Sequence, residues 1–171
     1  PGKRINNRIY RTNRTYIILA LALIWAAAAE AADYTAARAK LDAYRSGQAA
    51  MPAALAANDM AKAEQLQGQC AADLRAAREL FEQAGIERES DADPLIAYAE
   101  VLEAAGDYDL AAEALERAVQ TAPENAALWG KLGRDRFLAG PGTRREAFSA
   151  LRKALDLDAT SPDAAQTWIV M

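Results

Sequence analysis

The chain has 171 residues, enough for one compact domain and a tail. Its 52% hydrophobic content contains few aromatics (7%) and much alanine, so it favours helices that approach closely through small side chains. There is no histidine and a single cysteine, Cys70. That removes the commonest general base, the commonest zinc ligand, the axial histidine of a c-type haem, internal disulfides and CxxC motifs. The net charge of -4 conceals an asymmetry: Lys3, Arg4, Arg8, Arg11 and Arg14 crowd the first fourteen residues, where no acid occurs. Basic residues gathered in a tail beside an apolar run, and not on a folded face, point to membrane topology and away from nucleic acid.

Residues 1–15 form that basic tail. Tyr16 to Ala29 (YIILALALIWAAAA) is then uncharged and is followed by Glu30 and Asp33. A cleaved secretory signal and a retained signal anchor both fit this pattern. A spanning helix needs about 20 residues, which favours cleavage on length alone. Snorkelling of Arg14 and extension through Ala31 and Ala32 complete a short span, so the expectation is a retained transmembrane segment over residues 16–32. Tyr16, Ile17, Ile18, Leu19, Leu21, Leu23, Ile24 and Trp25 would make its apolar body, with Tyr16 and Trp25 placed as interfacial aromatics, Trp25 equally well placed to face a partner helix. The basic flank keeps the amino terminus cytoplasmic. The expected location is a bacterial inner membrane, crossed once, with the remainder of the chain periplasmic.

Residues 33–91 read as long linking helices. Tyr34, Ala37, Leu41 and Tyr44 recur at three- and four-residue steps, and Gly47 followed by Met51-Pro52 predicts an end to that helix. A second stripe runs through Ala63, Leu66, Cys70, Leu74, Ala77, Phe81 and Ala84, with Gly85 as its C-terminal stop. The two stretches suit an antiparallel pair. On this stripe Cys70 reads as a buried thiol, with an intermolecular disulfide as the alternative.

The strongest signal is an internal repeat. From Ala92, ADPLIAYAEVLEAAGDYDLAAEALERAVQTAPEN spans 34 residues. Leu95, Tyr98, Ala99 and Leu102 mark a first helix, Gly106-Asp107-Tyr108 a turn, and Ala111, Leu115 and Ala118 a second helix ended by Pro123. Asp93 and Pro94 are predicted to start the first helix, as N-cap and first helical residue. A second copy from Ala126 repeats the pattern with Trp129, Leu132 and Gly133, then Ala147, Leu151 and Ala154. It departs at Arg136, where an apolar residue is expected, and in a turn lengthened by two residues at Gly140-Pro141-Gly142. Thr143 and Glu146 have capping-box spacing. Ser161 and Pro162 open a further helix, residues 162–171, whose apolar end (Trp168, Ile169) either packs onto the second copy or docks into a partner. Trp129 reads as core.

These residues resemble the tetratricopeptide repeat, well over residues 92–161 and weakly upstream, where Ala77, Phe81 and Ala84 echo the second-helix signature. The fold class is therefore expected to be all-α: a transmembrane helix followed by an α-solenoid of helix pairs. The resemblance implies a concave groove lined by the first helix of each copy, here Ile96, Glu100, Glu103, Lys131, Arg134 and Phe137, suited to a peptide or partner helix. Plain solvated surface is the competing reading of each position. No cofactor, metal or catalytic constellation is expected, and no enzyme. The expected function is a membrane-anchored protein-binding scaffold or accessory subunit of an inner-membrane respiratory, photosynthetic or secretion complex. A transient assembly factor, of the kind that presents apocytochrome in c-type cytochrome biogenesis, is the alternative.

Overall fold

The computed structural model describes residues 34–170. The basic tail, the apolar anchor residues from Tyr16 to Trp25, and Met171 lie outside the described residues. Among the described residues there are seven α-helices and no strand, and no helix is long and apolar enough to cross a membrane.

The first two helices form an antiparallel hairpin. α1 covers residues 34–56 and α2 Met60–Gln83. Their pairing runs in opposite senses: the rings of Tyr34 and Phe81 lie 5.9 Å apart, Lys40 bridges to Asp73 at 2.9 Å, and the Cys70 thiol meets the Tyr44 carbonyl at 3.7 Å. Ala37, Leu41, Ala77 and Phe81 bury the seam at 0–1% exposure. Gly47 lets the two helices approach closely: a Cβ on it would stand 2.5 Å from the Cys70 sulfur, which would have to shift. Cys70 is buried, as its place on the apolar stripe implied, and free.

The predicted stop at Met51-Pro52 is not where α1 ends. The helix passes through Pro52 to residue 56, because the proline removes only one ladder donor and burial of Ala54 lies beyond it. The turn is then closed by Asp59 N–H donating to the Ala54 carbonyl at 3.0 Å, with Asn58 left-handed at φ 54°. Asp59 caps α2 by accepting from Lys62 N–H. At the far end Gly85, left-handed at φ 79°, stops the helix as expected.

A short 3₁₀ turn, Ile86–Arg88, leads to α3 (Ala92–Ala105) and α4 (Tyr108–Thr121). Ile86 is buried, and Arg117 of α4 donates to the carbonyls of Ile86 and Glu89, tying the linker to the repeat. The start of α3 is a correction: Asp91 is the N-cap and Asp93 lies inside the first turn. Pro94 is tolerated there because first-turn amides have no intrahelical acceptor. Gly106 at φ 85° turns the chain, with Asp107 N–H reaching the Leu102 carbonyl. Leu95, Ala99, Leu102, Ala111, Leu115 and Ala118 are all fully buried.

α5 (Ala126–Ala139) and α6 (Arg144–Leu157) repeat the arrangement, with Ala147, Leu151 and Ala154 at 0% exposure. Trp129 packs on both core clusters and donates its indole N–H to the Pro123 carbonyl at 2.8 Å. The predicted capping box does not form. The Thr143 hydroxyl turns back to the carbonyls of Gly140 and Arg136, acceptors freed at the end of α5, and Glu146 is exposed. α7 (Pro162–Val170) closes the array against α5 and α6.

At one crossing, a Cβ on Gly133 would stand 2.5 Å from Leu151 Cγ and 3.0 Å from its backbone nitrogen. Gly68 of α2 has open space around it. Gly68→Ala is expected to stabilise by up to about 1 kcal/mol through helix propensity. Gly133→Ala gains the same propensity but overpacks, at a cost of about 1–3 kcal/mol, and should lower the melting temperature. Thermal unfolding followed by circular dichroism separates the two signs.

Candidate interaction surface

Alternate helices α1, α3 and α5 are linked side by side along one face. Between α1 and α3 lies a cleft of about 310 Å³, lined by Arg38, Leu41, Asp42, Arg45, Asp93, Ile96, Ala97 and Glu100. Leu41 is buried at its base, and Ile96 and Ala97 are half-buried against the core cluster. Arg45 joins the helices with a bidentate grip on Glu100, its Nε lying 2.8 Å from Oε1, and also holds Asp42 at 2.7 Å. The hydrogen bond to Glu100 is the main reason its guanidinium pKa is raised. One step along, Arg134 of α5 grips Glu103 of α3 at 2.6 Å.

The six groove residues read from the sequence therefore divide. Ile96 and Glu100 line the α1–α3 cleft. Glu103 and Arg134 are partners of one another across α3 and α5. Lys131 and Phe137 lie half-buried on α5, outside that cleft. The α1 contributors, Arg38, Asp42 and Arg45, lie off the apolar stripe by which that stretch is recognised as a helix. Their spacing of four and three residues carried the signal of a second, charged stripe.

Asp135 departs from the repeat pattern. It is fully buried, 34 residues after the equally buried Val101, so an acid stands at an apolar register position of the repeat. Its Oδ1 accepts from Arg134 Nε at 3.2 Å, while Oδ2 and Glu103 Oε1 are buried without a hydrogen-bond partner. Burial first, and the Glu103 carboxylate second, push the Asp135 carboxyl up to about 7 against the pull of Arg134. Beside it Arg136, the other departure from the pattern, pairs with Glu116 of α4 in a partly buried bridge. The apolar end expected at the carboxy terminus is half-covered. Trp168 packs edge-to-face on Phe148 with centroids 5.5 Å apart, while Ile169 is 84% exposed.

Residues 92–135 match the family model described as tetratricopeptide repeat. The match takes in all of α3 and α4 and most of α5. The stacked helix pairs are consistent with a solenoid of that repeat type, and proteins built from tetratricopeptide repeats are generally non-catalytic protein–protein interaction modules. No curated protein matches the chain.

The Asp135 carboxyl has a folded pKa of about 7, above the ordinary carboxylate value near 3.9. The folded state therefore binds a proton that the unfolded state releases. That contribution to stability is complete below about pH 4 and is lost as the pH rises through about 7. Denaturation midpoints measured from pH 5 to 8 should fall with rising pH, over a window roughly set by that shift. Asp135→Asn, which stays neutral, should flatten the profile; an unchanged slope in the variant would assign the dependence elsewhere.

Proposed function

We propose that the chain is a membrane-anchored repeat adaptor that holds a segment of a partner protein, serving as scaffold or accessory subunit of a membrane complex. The observation that carries the binding reading is the α1–α3 cleft. It presents an apolar floor from Leu41, Ile96 and Ala97 between charged walls from Arg38, Asp42, Arg45, Asp93 and Glu100. A mixed groove of that kind suits an extended peptide or an amphipathic helix, with apolar contacts giving affinity and the charged walls giving register. Lys131 and Phe137 extend the same reading onto α5. The anchor rests on the five basic residues that precede the uncharged run from Tyr16 to Ala29. On that topology the repeat faces the periplasm of a bacterial inner membrane.

The test is a mild-detergent pull-down of the full-length protein from its native membranes, read by mass spectrometry. A stoichiometric partner is expected. Combining Arg38→Glu with Ile96→Ser should cut its recovery by about tenfold, which corresponds to about 1.4 kcal/mol, while helical circular dichroism is retained. A partner recovered equally by both proteins would remove the cleft from the binding site. A full-length protein recovered alone would end the scaffold reading.

A further inference from the structure

The cations at the junctions of α1 with α3 and of α3 with α5 are held by the protein's own acids: Arg45 by Glu100 and Asp42, Arg134 by Glu103 and Asp135. The outer face of α6 is different. Arg144, Arg145, Arg152 and Lys153 are all exposed, and none takes part in an ion pair among the described residues. Arg144, Phe148 and Arg152 stand four residues apart on a single stripe, with Arg145 beside it. Phe148 is 42% exposed and carries Trp168 of α7 edge-to-face against it, and Trp168 is itself 45% exposed. An aromatic pair thus sits, through Phe148, on the helix that carries these guanidinium groups, and Ile169, next to Trp168 in the chain, is exposed.

This patch is an exception in its own protein. Five of the twenty basic residues lie in the amino-terminal tail, leaving fifteen against twenty-four acidic residues over the rest of the chain. Within α6 the balance reverses, with four cations against Glu146 and Asp156. None of the four closes an ion pair with either acid, so the neighbouring Arg144–Arg145 and Arg152–Lys153 charges oppose the folded state weakly, and a ligand that neutralises them recovers that energy.

We infer that the α6–α7 outer face is a second protein-docking surface, which takes an acidic segment bearing an apolar or aromatic anchor. The anchor would rest on Phe148 and Trp168, and carboxylates on either side would meet Arg144, Arg145 and Arg152. Guanidinium groups suit this role because they pair carboxylates in two-pronged fashion and are weakly hydrated. The size of the patch decides the occupant. From Arg144 to Lys153 it runs roughly 14 Å along the helix, the length of a short peptide. A bilayer or nucleic acid is far larger and would also face Glu146 and Asp156 of the same helix and the acidic excess of the chain beyond its basic tail, which repel within a screening length of about 8 Å. The surface lies apart from the α1–α3 cleft, so it stands or falls independently of the function proposed above.

The experiment measures fluorescence anisotropy of a labelled synthetic peptide in which glutamates flank a central leucine–phenylalanine pair, against the full-length protein in neutral detergent. Binding is expected, weakening as salt is raised. Combined Arg144→Glu and Arg152→Glu should weaken it at least about tenfold, whereas Arg38→Glu in the cleft leaves it unchanged. Both altered positions are solvent-exposed, so the fold is retained, and circular dichroism checks this. A control peptide keeping the glutamates but with serines at the centre should bind more weakly than its parent. Three results would overturn the inference: no binding, binding indifferent to the α6 charge reversal, or loss only on Arg38→Glu. Sedimentation with phosphatidylserine vesicles that depends on Arg144 and Arg152, while the peptide fails to bind, would overturn it in favour of a lipid surface.

Discussion

The structure depends on helices that cross at positions without room for an ordinary side chain. Gly133 lies so close to the side chain and backbone of Leu151 that even a methyl group would collide, and Gly47 faces the Cys70 sulfur at close range. Ala99 and Ala111 are fully buried within the first repeat. Close approach lets one large residue beside each crossing, such as Leu115 or Leu151, fill the remaining space completely. Alanine-rich composition is thus what permits this packing, and it explains how a chain with few aromatics assembles a core, in two clusters that Trp129 bridges. The dispersion and apolar burial gained there carry the stability, since ion pairs that are exposed or only partly buried contribute little.

Once the helix pairs are set, charges sort by where the solenoid places them. Side chains near a junction between alternate helices find partners on the next helix: Arg45 with Glu100, Arg134 with Glu103. Arg78 of α2 likewise reaches Asp107 at the start of α4, stitching the hairpin to the repeat. The cations on the outer face of α6 meet no ion-pair partner among the described residues. Pairing therefore follows position in the array more than charge type, which is why a groove residue and a solvated one look the same in sequence.

The second repeat shows what a departure from pattern does. At the register positions held in the first copy by Val101 and Leu102, the second has Asp135 and Arg136. Each becomes polar in a different way: Arg136 reaches outward to Glu116, whereas Asp135 remains fully buried with a shifted carboxyl. A buried acid beside Arg134 and Glu103 makes this junction more sensitive to pH than its counterpart in the first copy, where the same layer is apolar.

Sequence by itself determined the helical class, the repeat register, the buried small–large–small residues, and Gly85 and Gly106 as stops. These follow from spacing and from local backbone preference, which act within a few residues. It also signalled the antiparallel hairpin, because two apolar stripes with nothing else to cover them have to cover each other. Tertiary structure decided the rest. Pro52 stays helical since the gain beyond it lies in burial, and Asp93 yields its capping place because α3 extends past Pro94. Thr143 serves the carbonyls behind it instead of the helix ahead. Above all, only the folded array decided that Glu103 and Arg134 hold each other, that Asp42 and Arg45 join the cleft, and that α6 keeps its cations free. Ion pairing depends on distances between residues remote in the chain, and no local pattern encodes those distances.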